Sequence, residues 1–144
     1  MKTEPVYRCP SLGVAVAMLD AADLPSTDLT DAHMAHFFYS GPARAPTGLV
    51  GVEFCGPNAL LRSLVVEPTR RSGGIGSVLV THAEVHARDH GARSMFLLTT
   101  TAEAFFKRRG YADAIRDDAP AEIRATREFA SICPASSAFL VKQL

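Results

Sequence analysis

Ala59-Leu-Leu-Arg-Ser-Leu-Val-Val66, then Glu67-Pro-Thr-Arg-Arg71, then Ser72-Gly-Gly-Ile-Gly76, and finally Ser77 to Gly91 decide the fold of this chain. An apolar, β-branched run reads as a strand. It passes through a short glycine-rich turn into a segment with helical periodicity. The first backbone N–H groups of a helix have no intrahelical partner and sit at the positive end of the helix dipole. Glycines let that bare backbone approach an anion closely, so strand, glycine turn and helix in succession suit a phosphate group. A tight turn with no ligand needs only one glycine, and this one has three within four residues, at 73, 74 and 76.

The spacing narrows the choice of ligand. A Walker loop requires Gly-x-x-x-x-Gly-Lys-Ser/Thr, but Ser77 directly follows Gly76 and no lysine is near. The dinucleotide fingerprint requires a third glycine three residues after the second, and Ser77-Val-Leu follows instead. What remains, Arg71-x-x-Gly74-x-Gly76, resembles the (Arg/Gln)-x-x-Gly-x-Gly signature of the GCN5-related N-acetyltransferases. In that family the loop cradles the pyrophosphate of acetyl-coenzyme A. The resemblance continues through Met95-Phe-Leu-Leu-Thr-Thr-Thr101, which matches the family's next strand. Ala102-Glu-Ala-Phe-Phe106-Lys-Arg-Arg-Gly110-Tyr111 matches the helix after it and its exit. The 60–76 segment, together with the stretch from Ala121 to Leu144, looks like the small acetyltransferases associated with arsenic resistance.

The resemblance implies a mixed α/β fold with a mostly antiparallel sheet flanked by helices. The sheet would be splayed between the two strands around the glycine-loop helix. It implies acetyl-coenzyme A as co-substrate. Leu64, Val65 and Val66 would meet its pantetheine arm, and Arg71, Ser72, Gly73, Gly74, Ile75, Gly76 and Ser77 its pyrophosphate. Phe105 and Phe106 would lie beside it. The family often has a tyrosine general acid where this chain has Phe106, which cannot donate a proton, so the departure leaves the acid role open. Tyr111 stands where the family has a core aromatic, and it reads as packing.

Patterning supplies the other elements. Residues 10–22 read as a first helix, and 24–30, rich in Pro, Ser, Thr and Asp, as a loop. His33 to Tyr39 reads as a strand because Phe37, Phe38 and Tyr39 precede a Gly-Pro turn. Thr47 to Cys55 is a strand that turns through Gly56-Pro-Asn58 into 59–66. The helix from Ile75 offers Ile75, Val78, Leu79, His82 and Val85 as a core stripe, with Thr81, Glu84 and Arg88 outward. Thr100 and Glu103 form a capping-box pattern for the next helix. A strand over 111–116, a helix from Asp118 to about Ser131, and a final strand over Ala138 to Lys142 complete the reading.

At 144 residues the sequence suits one domain, residues 1–144, able to bury about two-thirds of its unfolded surface. Fifteen basic and fifteen acidic residues cancel, which argues against nucleic acid or an anionic membrane as a partner held by bulk charge. No run of ~18 uncharged apolar residues exists, and the N-terminus lacks a secretory pattern. Cys9, Cys55 and Cys133 are odd in number and far apart, as for reduced thiols in the cytoplasm. Cys55 and Cys133 could serve arsenic only if they converged, which their spacing does not support, so they read as small buried hydrophobes.

Acetyl transfer to an amine requires that the amine lose a proton, so a carboxylate or histidine is needed. Glu53 is the candidate base: it interrupts Leu49-Val-Gly-Val-Glu-Phe-Cys55, and alternation puts it on the face of Gly51. A solvated outer face is the competing reading. Arg62 interrupts the next strand and by alternation shares a face with Leu60, Leu64 and Val66. Its fork suits either a substrate carboxylate or a structural pair with Glu53. His33 and His36 are further candidates by virtue of their titration range, His36 as a substrate contact. His82, His86 and His90 recur every four residues, but no fourth ligand is near, so no metal is assigned.

These readings converge on direct acetyl transfer to a small-molecule amine, an amino acid or an arsenic- or phosphorus-bearing analogue. The alternative is an acyl-coenzyme A-binding sensor that has lost catalysis. Related enzymes are commonly homodimers, through sheet edges or the C-terminal strand.

Overall fold

The strands and helices follow the order expected from the sequence over most of the chain. The computed structural model describes residues 5–71, 73–132 and 136–144, the side chains at 131 and 132 excepted. It contains β1 (Val6–Arg8), α1 (Leu12–Ala21), β2 (Phe37–Ser40), β3 (Gly48–Cys55), β4 (Asn58–Val66) and α2 (Ile75–Asp89). These are followed by β5 (Ser94–Thr99), α3 (Glu103–Lys107), β6 (Ala112–Asp113), α4 (Ala121–Arg124) and β7 (Ala138–Gln143). No helix among the described residues is long and apolar enough to cross a membrane. Contacts divide the chain into two compact units, one of residues up to Glu53 plus Leu61–His86, the other of Phe54–Leu60 plus Ala87–Leu144.

In the first unit β1, β2, β3 and β4 are neighbours in that order. β1 and β2 are antiparallel with Tyr7 opposite Tyr39, and β2 and β3 are antiparallel with Phe37 opposite Gly51. The register has a packing cause. A side chain on Gly51 would lie 2.3 Å from the Phe37 ring, so the ring covers bare backbone. Phe37, Leu49 and Leu19 are fully buried with Ala15, Leu29, Met34 and Val65. Each such large side chain contributes about 1.5–3 kcal/mol on burial. α1 enters this core through Ala15 and Leu19, one turn apart, and its first turn is capped by Ser11 Oγ, which accepts from the Val14 N–H at 3.2 Å.

In the second unit β5 neighbours β7, which neighbours β6. β5 and β7 pair antiparallel from Ser94–Gln143 to Thr99–Ala138. Cys55, Leu60, Ala119, Ile123 and Phe139 form the core here, with Phe96 stacked on Phe139 and Phe129 edge-on to it. Cys55 is thus a small buried hydrophobe; Cys133 lies outside the described residues.

Several expectations are corrected. β1 carries too little pattern in three residues to be seen. Residues 31–36 form a 3-10 helix rather than the start of a strand, because Thr30 and His33 cap it, and the strand begins only at Phe37. On α2 the buried positions are Ile75, Leu79, Val80, Ala83 and Ala87, whereas Val85 is 40% exposed and His82 is exposed. The small alanines set the face on which the helix can approach closely. Glu84, expected outward, is half-buried. α3 starts without the expected box: Thr99 Oγ1 accepts from the Ala102 N–H at 3.0 Å in place of Thr100. The strand expected over 111–116 is reduced to Ala112–Asp113, followed by a 3-10 turn over Arg116–Asp118. The last helix breaks at Thr126, whose hydroxyl donates to the Ile123 carbonyl at 2.7 Å, and resumes as a π-turn over Glu128–Ile132.

Candidate active site

Two features of the first unit bring candidate residues together. The first is the turn between β4 and α2. Pro68–Arg70 make a 3-10 turn, and the Gly73 N–H donates to the Arg70 carbonyl at 3.2 Å. Gly74 has φ +83°, a left-handed conformation that costs a side chain about 1 kcal/mol or more. A Cβ built there meets nothing within 4 Å, so the space above this backbone is open. The Val78 N–H donates to the Gly74 carbonyl at 3.2 Å, which sets the start of the helix directly at the turn. Arg71, Gly73 and Gly74 are exposed, Ile75 and Gly76 buried and Ser77 half-buried; Ser72 lies outside the described residues. A Cβ on Gly48 of β3 would lie 2.7 Å from Leu79 and 2.8 Å from Ile75, which shows how closely α2 lies on β3. The Arg71 guanidinium turns back, and its Nε donates to the Val66 carbonyl at 3.3 Å.

The second feature is an ion cluster. Arg62, 2% exposed, has its fork on Asp28, Nη1 to Oδ2 at 2.5 Å and Nη2 to Oδ1 at 2.9 Å. Nη1 also donates to Glu53 Oε1, and Nε to Ser63 Oγ at 3.1 Å. Side-chain exposure rises from 0% at Arg62 through 5% at Asp28 to 18% at Glu53. Ser63 reaches Nε from φ +61°, in the middle of β4. A left-handed residue interrupts period-two alternation. The face assigned to Arg62 therefore does not carry on to Leu64 and Val66: those two are half-buried, and Val65 enters the core.

Packing delivers Asp28 to this place. Leu29 and Met34, on either side of the 3-10 cap, are buried with Phe37 and Val65. Ser26 Oγ donates to Asp20 Oδ1 at 2.5 Å and so ties the loop to α1. His33 Nδ1 accepts from the Thr30 N–H at 3.0 Å. Single ligand atoms of Asp28, His33 and Glu53 lie within 4.8 Å of one another, with the guanidinium of Arg62 bonded to both carboxylates. Burial alone would raise the Asp28 carboxyl, but the hydrogen bond and charge of Arg62 outweigh it, and Asp28 is held below its ordinary value.

Glu53 and Arg62, singled out in the sequence, are therefore in contact, and Asp28 joins them. Asp28 was missed because the 24–30 loop carries no periodicity. Its signal is indirect, since a buried arginine requires carboxylates. His36 is engaged elsewhere, its Nδ1 2.9 Å from His86 Nε2. The 82, 86 and 90 series is dispersed among aromatics, Phe38 beside His82 and His86, and Phe54 beside His90. In the second unit Phe106 is buried edge-on to Tyr111, also buried, and Phe105 carries the Arg109 guanidinium 3.7 Å above its ring.

The sequence of residues 15–111 matches the model of the acetyltransferase (GNAT) family. The chain belongs to this family. Its GNAT relatives include an amino-acid acetyltransferase of Ralstonia nicotianae, 39% identical over 61 residues, or 42% of this chain. Another, of Ectopseudomonas mendocina, is 36% identical over the same length. The chain spans 14% of the length of each. The fold is shared with N-acetylglutamate synthase from Neisseria gonorrhoeae, solved with coenzyme A and N-acetyl-glutamate, at TM-score 0.81 and 21% identity. That match covers 100% of this chain and 36% of the synthase. A Mycobacterium tuberculosis protein solved with CoA and NLQ aligns at TM-score 0.76 and 17% identity, over 97% of this chain and 99% of that one.

Proposed function

We propose that this GNAT chain is an acetyl-coenzyme A-dependent N-acetyltransferase that acts on the amine of a small molecule, an amino acid or an analogue of one. The observation that carries the reading is the open, left-handed Gly74 at the start of α2, in a chain of this family. Bound acetyl-coenzyme A would supply the activated acetyl group. The backbone N–H groups from Arg71 to Ser77 would hold its pyrophosphate, with Leu64, Val65 and Val66 along the pantetheine. Glu53 would take the amine proton, directly or through one water, as the nitrogen attacks the thioester carbon. Loss of coenzyme A as its thiolate would complete the transfer, with the thiolate protonated by water or another group or leaving unassisted, as Phe106 has no proton to give. No activated cysteine is needed for this direct transfer.

The amino-acid class is supported by the relatives' activity. The finer reading, an arsenic- or phosphorus-bearing amino acid whose acetylation confers resistance, rests on the likeness of the 60–76 and 121–144 segments described above. Balanced charge and three widely spaced cysteines support one cytoplasmic domain, and β1 and β6, which end the strand order, are edges through which a homodimer could form. Buried Phe106 in place of a phenol favours the second reading, an acyl-coenzyme A sensor.

Thiol release from acetyl-coenzyme A against a panel of amino acids, glutamate-like and arsenic-bearing compounds included, separates the two readings. Enzyme is expected, with Glu53→Gln lowering kcat by about 100-fold or more at unchanged coenzyme A affinity. Tight coenzyme A binding with no turnover across the panel would favour the sensor. Equal rates in Glu53→Gln and the wild type would remove Glu53 from the base role.

A further inference from the structure

Two carboxylates meet one guanidinium in the first unit, and the division of bonds between them is unequal. Asp28 occupies the fork of Arg62 with both oxygens, whereas Glu53 takes a single bond with Oε1 and is the most exposed of the three. A lone Arg–Glu pair would anchor the glutamate but also compensate its charge, which makes a carboxylate a poorer proton acceptor. Asp28 returns one unit of negative charge within 4.8 Å of Glu53. His33, the other titratable group facing this pair, has its Nδ1 on the Thr30 N–H and adds a smaller effect than Arg62 in holding the Asp28 carboxyl down.

We propose that Asp28 is a positioning residue for acetyl transfer: by neutralising Arg62 it lets the guanidinium fix Glu53 in place without quenching its capacity to take the amine proton. This rests on Glu53 being the base. The geometry supports a device for orientation rather than for stability alone. A buried ion cluster is seldom more stabilising than apolar packing of the same volume. This one also uses a non-glycine residue at φ +61° to put a third acceptor on Arg62, a backbone conformation that costs of order 1–3 kcal/mol. The surplus negative charge of the cluster also matches the ammonium form in which an amine arrives, so it would favour capture as well as deprotonation. Asp28 stays ionised across the working range, since Arg62 holds its carboxyl below the ordinary value.

The test is kcat against pH, at saturating acetyl-coenzyme A and amine, for the wild type, Asp28→Asn, Asp28→Glu and Glu53→Gln. Loss of one negative charge at this distance is expected to move the acidic limb of Asp28→Asn down by about one pH unit. Its plateau should fall at least several-fold, because the base has weakened. Asp28→Glu, which keeps the charge, is expected to restore the wild-type limb. Should Asp28→Asn fail to fold, Asp28→Ser, neutral and small enough to admit a water beside Arg62, takes its place and is expected to show the same shift. An unmoved limb in the neutral variant, with Glu53→Gln inactive, overturns the proposal and leaves Glu53 as base. Wild-type rates in Glu53→Gln overturn the base reading itself.

Discussion

The glycine turn and the Asp28–Arg62–Glu53 cluster lie in one compact unit but solve opposite problems. At the turn the chain withholds atoms: Gly74 has no side chain, nothing stands within 4 Å of where one would begin, and the polar groups on offer belong to the backbone. At the cluster the chain crowds atoms together, with a guanidinium that is 0% exposed bonded by Asp28, Glu53 and Ser63. The turn can therefore be written in six consecutive residues. The cluster requires residues 28, 53 and 62 from a loop and two strands, each brought in by its own packing. A local device tolerates change around it; a long-range one fails when any of its carriers fails.

That contrast can be broken most forcefully at Arg62. Arg62→Met leaves Asp28 and Glu53 facing each other with no cation, and removal of one partner from a buried ion group costs about 3–5 kcal/mol. Urea unfolding is expected to show a loss of that size, and a loss below 1 kcal/mol would mean that water already compensates the cluster. A smaller effect is expected at the turn. Gly74→Asp puts an anion and a side chain where a pyrophosphate would lie, and should raise the coenzyme A dissociation constant at least tenfold, about 1.4 kcal/mol. An unchanged constant by calorimetry would detach the turn from the cofactor.

The smallest expected effect is a pH signature. Because the folded Asp28 carboxyl lies below its ordinary value of 3.8, its stabilisation is complete above that value and fades as pH falls through the lower, folded value. The gap in urea midpoint between wild type and Asp28→Asn should accordingly be constant above pH 5, about one unit above the ordinary value, and narrow below pH 4. A gap that stays constant down to pH 3 would contradict the ion pair as its source.

How much of the molecule could be read beforehand follows the same division. β3, β4, α2, β5 and β7 were legible because each carries its own period or run, and the turn was legible because glycine spacing is local. The α2 stripe holds at Ile75 and Leu79 and fails at His82 and Val85, which hydrophobic spacing favoured, while close packing favours Ala83 and Ala87. The 111–116 strand and the last helix were overextended, as their limits depend on tertiary partners and on the Thr126 hydroxyl. At the site, the contact between Glu53 and Arg62 was one of two readings for a charge inside an apolar strand. Asp28 could not be found by pattern, and Ser63 gave no sign of a left-handed backbone, since glycine, asparagine or aspartate is the usual mark of one and serine is not.

Gly51 and Phe37 hold a consequence for anyone who alters this chain. The aromatic ring occupies the volume that a side chain at position 51 would claim. The two positions are in effect one compartment with a single tenant, and their tolerances are coupled. Libraries that vary either position alone will score it as immutable, whereas paired designs that enlarge 51 while trimming 37 could reveal latitude that single substitutions conceal.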